Sequence, residues 1–169
     1  MTEYSTDESQ NVFEGRKILV VDDEPDALTF IATVLEDHGA TVHRATDGDE
    51  ALDLVRKEKP DLMTLDLAMP GKNGVDVYIE LRESPDLPQL PVCIITGRPE
   101  MRKLIYERKT IPPPEGYMSK PVSEKSLLMN IRKILEIKHK RAAEQDKRYI
   151  NVTILDIPSS LEFSITDCS

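Results

Sequence analysis

Four of the short apolar runs in the sequence end in side chains that can bind a cation or an oxyanion. These side chains are Asp22, Asp23, Asp66, Thr96 and Lys120. If the runs are parallel strands, their carboxyl ends lie at one edge of a sheet and the five side chains can converge. Three carboxylates placed together repel one another by roughly 4 kcal/mol per pair at 4 Å with an effective dielectric near 20. Either some carboxyl pKa values rise or cations stabilise the cluster, and Lys120 offers one cation.

This set of groups can support phosphoryl transfer. Oxygen-only acidic ligands suit Mg²⁺, which binds a few carboxylates, several waters and a phosphate. Asp66 would then be the nucleophile, with Mg²⁺ bridging it and the incoming phosphoryl oxygens. Lys120 would neutralise another oxygen, and the Thr96 hydroxyl would hydrogen-bond a third. Each residue alone has a simpler explanation, since an aspartate at a strand end commonly caps the next turn. Their joint position at successive strand ends favours the functional interpretation.

The elements that must position these groups alternate along the chain. Strands are predicted at 17–21, 41–45, 62–65, 91–95 and 116–119. Helices are predicted from Pro25 to before Gly39, from the cap Asp47 to before Pro60, at 75–82, at 100–109, and from the cap Ser123. Five alternations of strand and helix predict a parallel sheet covered by helices on both faces.

Composition and charge narrow the class of protein. The 169 residues hold one ordinary domain with extensions, and the net charge of −9 argues against sequence-independent binding of nucleic acid. The first 15 residues are polar and acidic without an apolar signal segment, and no apolar stretch approaches a membrane span. We therefore expect a cytoplasmic protein. Cys93 and Cys168 lack metal-ligand spacing, and Cys93 is predicted to be buried and inert.

The two ends of the chain differ in pattern from the centre. We predict a flexible leader at 1–15, the main domain at 16–137, and a tail at 138–169. The basic stretch 138–148 continues the helical pattern without an apolar stripe and is interpreted as a solvated helix end rather than a binding patch. Alternating apolar residues then predict a two-stranded β-hairpin. They are Ile150, Val152, Ile154, Leu161, Phe163 and Ile165. Because an isolated hairpin is marginally stable, the tail is predicted to serve dimerisation or partner docking.

Over residues 16–137 the sequence resembles the receiver domains of two-component response regulators, of the stand-alone chemotaxis type. The matching motifs are Asp22-Asp23, Asp66-x-x-Met69-Pro70-x-x-x-Gly74, Thr96 and Lys120-Pro121. The resemblance implies a flavodoxin-like (βα)5 three-layer sandwich whose five parallel strands have the order 2-1-3-4-5. It also implies a phosphoprotein in which Asp66 accepts a phosphoryl group from the phosphohistidine of a histidine kinase.

The resemblance also implies a metal site and a switch residue. Mg²⁺ would be held by Asp23, Asp66 and the main-chain carbonyl of Ala68, with Asp22 acting mostly through water. Tyr117, three residues before Lys120, matches the aromatic switch residue of the family; the alternative is a half-buried strand tyrosine. The sequence departs from the family pattern at Gly97-Arg98-Pro99 and at Pro112-Pro113-Pro114, which leaves the length and angle of the fourth helix open.

Two classes of function compete. The first is a phosphorylation-controlled binding module, which takes its phosphoryl group from a sensor histidine kinase or phosphotransfer protein and binds a downstream protein. It would catalyse only its own phosphorylation and dephosphorylation, and it would bind neither nucleic acid nor membrane. The roughly 32 residues after Ile137 are too few for a winged helix, so no DNA-binding output domain is expected.

The second class is a Mg²⁺-dependent phosphatase of the haloacid dehalogenase type. Such an enzyme needs a second aspartate two positions after the nucleophile as its acid and base, and that position is Ala68 here. The sequence therefore favours the binding module. A receiver that binds partners without phosphorylation is disfavoured because every required residue is present. His38, His43 and His139 are scattered and are predicted to be surface or strand histidines rather than phosphotransfer sites.

Overall fold

Strands and helices alternate along the chain in the computed structural model, which describes residues 11–155, with side chains to residue 147. The strands are β1 (Lys17–Val21), β2 (Thr41–Ala45), β3 (Leu62–Leu65), β4 (Val92–Thr96) and β5 (Gly116–Ser119). The helices are α1 (Pro25–Asp37), α2 (Gly48–Glu58), α3 (Gly74–Glu83), α4 (Arg102–Tyr106) and α5 (Glu124–Leu155), with a 3₁₀ turn at Pro99–Met101.

The five strands form one parallel sheet in the order β2-β1-β3-β4-β5. Alternate residues of each central strand enter two separate cores. Leu19 and Met63 join the core under α2 and α3, whereas Ile18 and Leu62 join the core under α1 and α5. Burial on both faces explains why these strands are continuously apolar. The predicted flavodoxin-like (βα)5 three-layer sandwich is confirmed.

Side-chain caps set the starts of three helices. Asp47 accepts a hydrogen bond from the amide of Glu50 at 2.9 Å and begins α2. Asn73 caps α3 in the same way, and the hydroxyl of Ser123 accepts from the amide of Ser126 at 3.2 Å at the start of α5. Each cap satisfies one of the amides that a helix leaves without an internal partner. The predicted caps at Asp47 and Ser123 are confirmed.

The fourth helix is shorter than predicted. The charged pattern favoured a helix at 100–109, but the α-helical part spans only Arg102–Tyr106 after the 3₁₀ turn. Ile105 is the one buried residue of α4, so this segment lacks the apolar stripe that stabilises a longer helix. The three prolines that follow prevent any later continuation.

Both predicted ends need correction. Residues 11–15 form a turn in which Phe13 is buried and its amide donates to the carbonyl of His38 at 2.9 Å, so a flexible leader does not extend to residue 15. The first strand of the predicted hairpin is wrong, because α5 continues through Leu155. No glycine or proline interrupts the chain between Glu124 and Pro158, so the helix continues through the alternating residues although several of them are β-branched. The second predicted strand, 161–165, lies outside the described residues.

The chain divides into two compact units, residues 1–135 and 136–169. The predicted boundary after residue 137 and the role of the tail stay predictions. Within the part of the chain that the structure describes, no helix is both long enough and apolar enough to span a membrane.

A buried arginine joins α3 to the loops on either side of β4. The side chain of Arg82 is 2% exposed and makes an ion pair with Glu115 at 3.1 Å. Its guanidinium also donates to the carbonyl of Leu90 at 2.8 Å and to the hydroxyl of Tyr78 at 3.2 Å. Glu115 in turn accepts from the amide of Val92 at 2.7 Å. We call these groups the Arg82 network; they fix the start of β4 and the residue before β5 against α3.

The Arg82 network should contribute strongly to stability. Substituting Arg82→Met is expected to lower the free energy of unfolding by about 3 kcal/mol, because it leaves the Glu115 carboxylate and the Leu90 carbonyl without their buried donor. Unfolding in urea measures the loss. The matched control is Arg56→Met, which removes a half-exposed ion pair with Asp86 at 3.3 Å and should change stability by less than about 1 kcal/mol. Equal losses in the two variants would contradict the assigned role of the network.

Candidate functional site

The sheet delivers the predicted site residues to one edge. Asp22 and Asp66 directly follow β1 and β3, Thr96 is the last residue of β4, and Lys120 directly follows β5. Main-chain hydrogen bonds continue between neighbouring strands past the strand ends. The amide of Asp66 donates to the carbonyl of Val21 at 3.0 Å, and the amide of Lys120 donates to the carbonyl of Thr96 at 3.0 Å. The backbone therefore holds these residues in fixed positions, and their convergence is the geometry that the sequence pattern predicts.

Lys120 is the cation of the site. Its Nζ lies 2.7 Å from Asp22 Oδ2 and 3.2 Å from Asp66 Oδ2. Its side chain is 16% exposed, and burial by itself lowers its pKa. The hydrogen bonds and charges of the two aspartates outweigh that effect, so the pKa of Lys120 is raised above its ordinary value. The ammonium group is therefore charged at neutral pH and neutralises part of the carboxylate charge.

Burial and hydrogen bonding act in opposite directions on the carboxyl group of Asp22. Burial raises its pKa, although Lys120 and the amide of Glu24, which donates to Asp22 Oδ1 at 3.0 Å, both act to lower it. The carboxylate of Glu24 also reaches Lys120, at 3.5 Å. Sequence reasoning did not assign Glu24 to the site; the signal was the unbroken acidic run 22–24 at the strand end. A single ammonium thus faces an excess of negative charge.

The acidic cluster has the composition of a cation site. Carboxylate oxygens of Asp22, Asp23 and Asp66 all lie within 4.8 Å of one another. Asp23 Oδ1 is buried and has no hydrogen-bond partner, which leaves an acceptor free for a ligand. Oxygen-only donors of this kind match a hard divalent ion. The amide of Ala68 donates to Asp66 Oδ1 at 3.2 Å, and the role of the Ala68 carbonyl as a ligand stays a prediction.

The loop after Asp66 returns close to its own start because of a glycine. The amide of Gly74, the first residue of α3, donates to the carbonyl of Leu67 at 3.0 Å. A Cβ at residue 74 would collide with the main-chain carbonyl oxygen of Asp66 and would lie 2.7 Å from Leu67 Cα. Real Cβ atoms do not approach a backbone so closely, so this loop requires glycine at this position.

Thr96 and Tyr117 occupy different surroundings. Thr96 is 1% exposed, and its hydroxyl accepts a hydrogen bond from the amide of Arg98 at 3.1 Å. Tyr117 is half-buried in β5, and its described contacts are with Arg102 and Tyr106 of α4 rather than with the carboxylates. Its hydroxyl is buried without a hydrogen bond of standard geometry, and burial raises its pKa to about 12. The assignment of Tyr117 as a switch residue stays a prediction.

The remaining candidates lie away from this edge. Cys93 is fully buried in β4, as predicted, and burial raises the pKa of its thiol to about 12. The ring nitrogen Nδ1 of His38 lies 2.8 Å from the carbonyl of Val34, which makes it part of the end of α1. His43 lies on β2, 3.8 Å from the carboxylate of Glu58. Neither histidine belongs to the acidic cluster.

Fold and site together define a class of protein. A five-stranded parallel sheet carries an aspartate after its first and its third strand, a threonine at the end of its fourth and a lysine after its fifth. A family model described as the response regulator receiver domain matches residues 18–132. The chain therefore belongs to the response regulator receiver domain family, as its motifs indicated.

Individual relatives agree with this assignment. The protein PilH of Pseudomonas aeruginosa is 33% identical over 119 residues, which cover 70% of this chain and 97% of PilH. A solved receiver domain protein from Clostridium thermocellum has a TM-score of 0.63 at 29% identity, covering 73% of this chain and 97% of that one. NtrX from Brucella abortus has a TM-score of 0.65 at 29% identity over 76% of this chain, but this chain spans only 29% of the length of NtrX.

The close approach at Gly74 generates a prediction about the site loop. Gly74→Ala is expected to lower the free energy of unfolding by about 3 kcal/mol, because the added methyl group pushes the Asp66 carbonyl and the loop apart. Gly97→Ala is the matched control, since a Cβ there would meet no atom within 4 Å and the change should stay within about 0.5 kcal/mol. Thermal unfolding of both variants measures the difference. A neutral Gly74→Ala would show that the loop does not depend on this contact.

Proposed function

We propose that Asp66 accepts a phosphoryl group from the phosphohistidine of a sensor histidine kinase or phosphotransfer protein, in two-component phosphorelay signalling. The observation that carries this proposal is the environment of the Asp66 carboxylate. It is 2% exposed, with Oδ2 at 3.2 Å from the ammonium of Lys120 and Oδ1 at 3.2 Å from the amide of Ala68. Membership of the receiver family supports the choice of donor.

The chemical step forms one bond and breaks one. A carboxylate oxygen of Asp66 attacks the phosphorus atom, a P–O bond forms, and the P–N bond of phosphohistidine breaks. The electron pair of that bond leaves with the imidazole nitrogen, which then takes up a proton, and the product is a mixed anhydride, an aspartyl phosphate. Lys120 is already held at the carboxylate and would neutralise a phosphoryl oxygen as charge arrives there.

A divalent cation fits the remaining charge of the site. Mg²⁺, held by Asp23 and Asp66, by the Ala68 carbonyl as the family resemblance implies, and by Asp22 through water, would supply positive charge to the phosphoryl oxygens. The free buried oxygen of Asp23 supports this choice of ligands. Asp22 contributes in a second way, because its ion pair with Lys120 at 2.7 Å orients the ammonium group.

The signal would be read through Thr96. Its hydroxyl accepts a hydrogen bond from the Arg98 amide, and its own proton is available to a phosphoryl oxygen. We propose that the hydroxyl turns toward the phosphoryl group and that Tyr117 follows, which changes a protein-binding surface built from α4, β5 and α5. Partners of this surface are a downstream protein target and, through the tail, a second copy of the chain.

The same site would also catalyse its own dephosphorylation, by attack of water on the aspartyl phosphate. Two further residues flank the site: Arg98, two residues after Thr96, and Ala68, two residues after Asp66. The Arg98 side chain is 67% exposed, with its guanidinium 3.9 Å from Glu100. The chain itself would thus perform both phosphorylation and hydrolysis without being an enzyme for an external substrate.

Acetyl phosphate with Mg²⁺ tests this proposal directly. Intact-mass analysis of the full chain is expected to show one phosphoryl adduct, which Asp66→Asn abolishes because the nucleophile is gone. Removal of Mg²⁺ by a chelator should also suppress the adduct. Asp53→Asn is the matched control, since that carboxylate is 82% exposed and should leave the adduct unchanged. An adduct that persists in Asp66→Asn, or no adduct in the wild type, would refute the proposal.

A further inference from the structure

Arg102, the first residue of α4, lies over the aromatic ring of Tyr117 in β5. The guanidinium carbon is 3.8 Å from the ring centroid, within the range of a cation–π contact. Tyr106, one helical turn after Arg102, packs against the same tyrosine with a centroid separation of 5.9 Å and an interplanar angle of 30°. We call these three side chains the α4 stack. The stack joins the short helix α4 to the edge strand of the sheet.

Helix α4 has few other contacts that could hold it in place. It contains five residues, whereas isolated helices shorter than about 12 residues are not stable in water. Its N-cap residue, Met101, makes no side-chain capping hydrogen bond. Leu104 is 42% exposed and Tyr106 is 51% exposed, so only Ile105 is buried. The position of α4 therefore depends on Ile105 and on the α4 stack.

The polar atoms of the α4 stack are incompletely hydrogen-bonded. Arg102 Nε and the Tyr117 hydroxyl are both buried in it without a hydrogen bond of standard geometry. Each unpaired buried polar atom is unfavourable, and both could find partners if the two side chains separated. The cation–π attraction opposes that separation. The α4 stack is therefore a contact that a change in the position of either side chain can break.

The α4 stack is connected to the phosphorylation site by a short path. The Thr96 hydroxyl accepts a hydrogen bond from the amide of Arg98, at the start of the segment that leads through the 3₁₀ turn to Arg102. The other end of this part of the chain is fixed, because Glu115 belongs to the Arg82 network and the Tyr78 hydroxyl donates to the carbonyl of Pro112 at 2.6 Å. A change at Thr96 therefore acts at the start of a segment whose far end is fixed.

We propose that Arg102 is a positioning residue that holds α4 on Tyr117 in the unphosphorylated state and lets go of it on phosphorylation. This inference rests on the proposed function. When the Thr96 hydroxyl turns toward the phosphoryl group, it no longer accepts from the Arg98 amide, and the freed segment moves Arg102 off the tyrosine ring. Arg102 thereby sets how strongly the site is coupled to the surface formed by α4 and β5.

Hydrogen exchange on the full chain tests the role of Arg102. Without a phosphodonor, Arg102→Ala is expected to make the amides of residues 102–110 exchange roughly fivefold to tenfold faster than in the wild type. Acetyl phosphate with Mg²⁺ should accelerate amide exchange of residues 102–110 in the wild type by a similar factor. In Arg102→Ala the same treatment should add little to an exchange rate that is already raised. Arg102→Lys keeps a cation near the ring and should restore part of the protection. Lys103→Ala, at the neighbouring exposed cation, is the control and should exchange as the wild type does.

Three outcomes would overturn the inference. Unchanged exchange of 102–110 in Arg102→Ala would show that the α4 stack does not hold the helix. Acceleration of the β1 and β3 amides by the same factor would show a general loss of stability instead. A phosphorylation-dependent change as large in Arg102→Ala as in the wild type would show that Arg102 does not control the coupling. The intact mass of each sample distinguishes this inference from the proposed function. A wild type without an adduct would refute phosphorylation at Asp66. The comparison of wild type and Arg102→Ala without phosphodonor would still test whether the α4 stack holds the helix.

Discussion

The ion pairs of Lys120 with Asp22 and Asp66 are the interaction on which the rest of the site depends. Both carboxylates are at most 2% exposed, and one ammonium at 2.7 and 3.2 Å compensates them only in part. Removing an ammonium from such a buried group would leave two facing carboxylates without compensation. The residual negative charge makes the site receptive to a divalent cation. This arrangement depends on a parallel sheet, because the carboxyl ends of its strands lie at one edge and bring these residues together.

The segment between β4 and β5 has a rigid end and an adaptable end. The Arg82 network fixes Glu115, and the hydroxyl of Tyr78 fixes the carbonyl of Pro112, through hydrogen bonds of 2.6–3.2 Å. The opposite end begins at the Thr96–Arg98 hydrogen bond and continues into the short helix α4, with Ile105 as its one buried side chain. Because one end of the segment is rigid and the other is weakly held, we expect a conformational response to phosphorylation to be confined to the end near Thr96 and α4.

The central fold was predictable because its strands are buried on both faces, which produces continuous apolar runs with clear ends. The convergence of Asp22, Asp66 and Lys120 was predictable for the same reason, since topology places strand ends together. The length of α4 was not, because the charged pattern favoured a helix at 100–109 whereas burial of Ile105 alone supports only a short one. The Arg82–Glu115 pair was not predictable either, because its residues lie 33 positions apart and no local sequence pattern encodes such a contact. In the tail, alternation favoured a strand, whereas α5, uninterrupted by glycine or proline, continues through Leu155.

The most direct test of the account is to locate the phosphoryl group on the chain. Sodium borohydride reduces an aspartyl phosphate to homoserine, and tandem mass spectrometry of peptides then reads its position. After treatment with acetyl phosphate and Mg²⁺, the account predicts homoserine at position 66 and at no other aspartate. Homoserine at position 22 or 23 would contradict it, because those carboxylates are assigned to the cation and to Lys120, and so would a reduced protein without any homoserine.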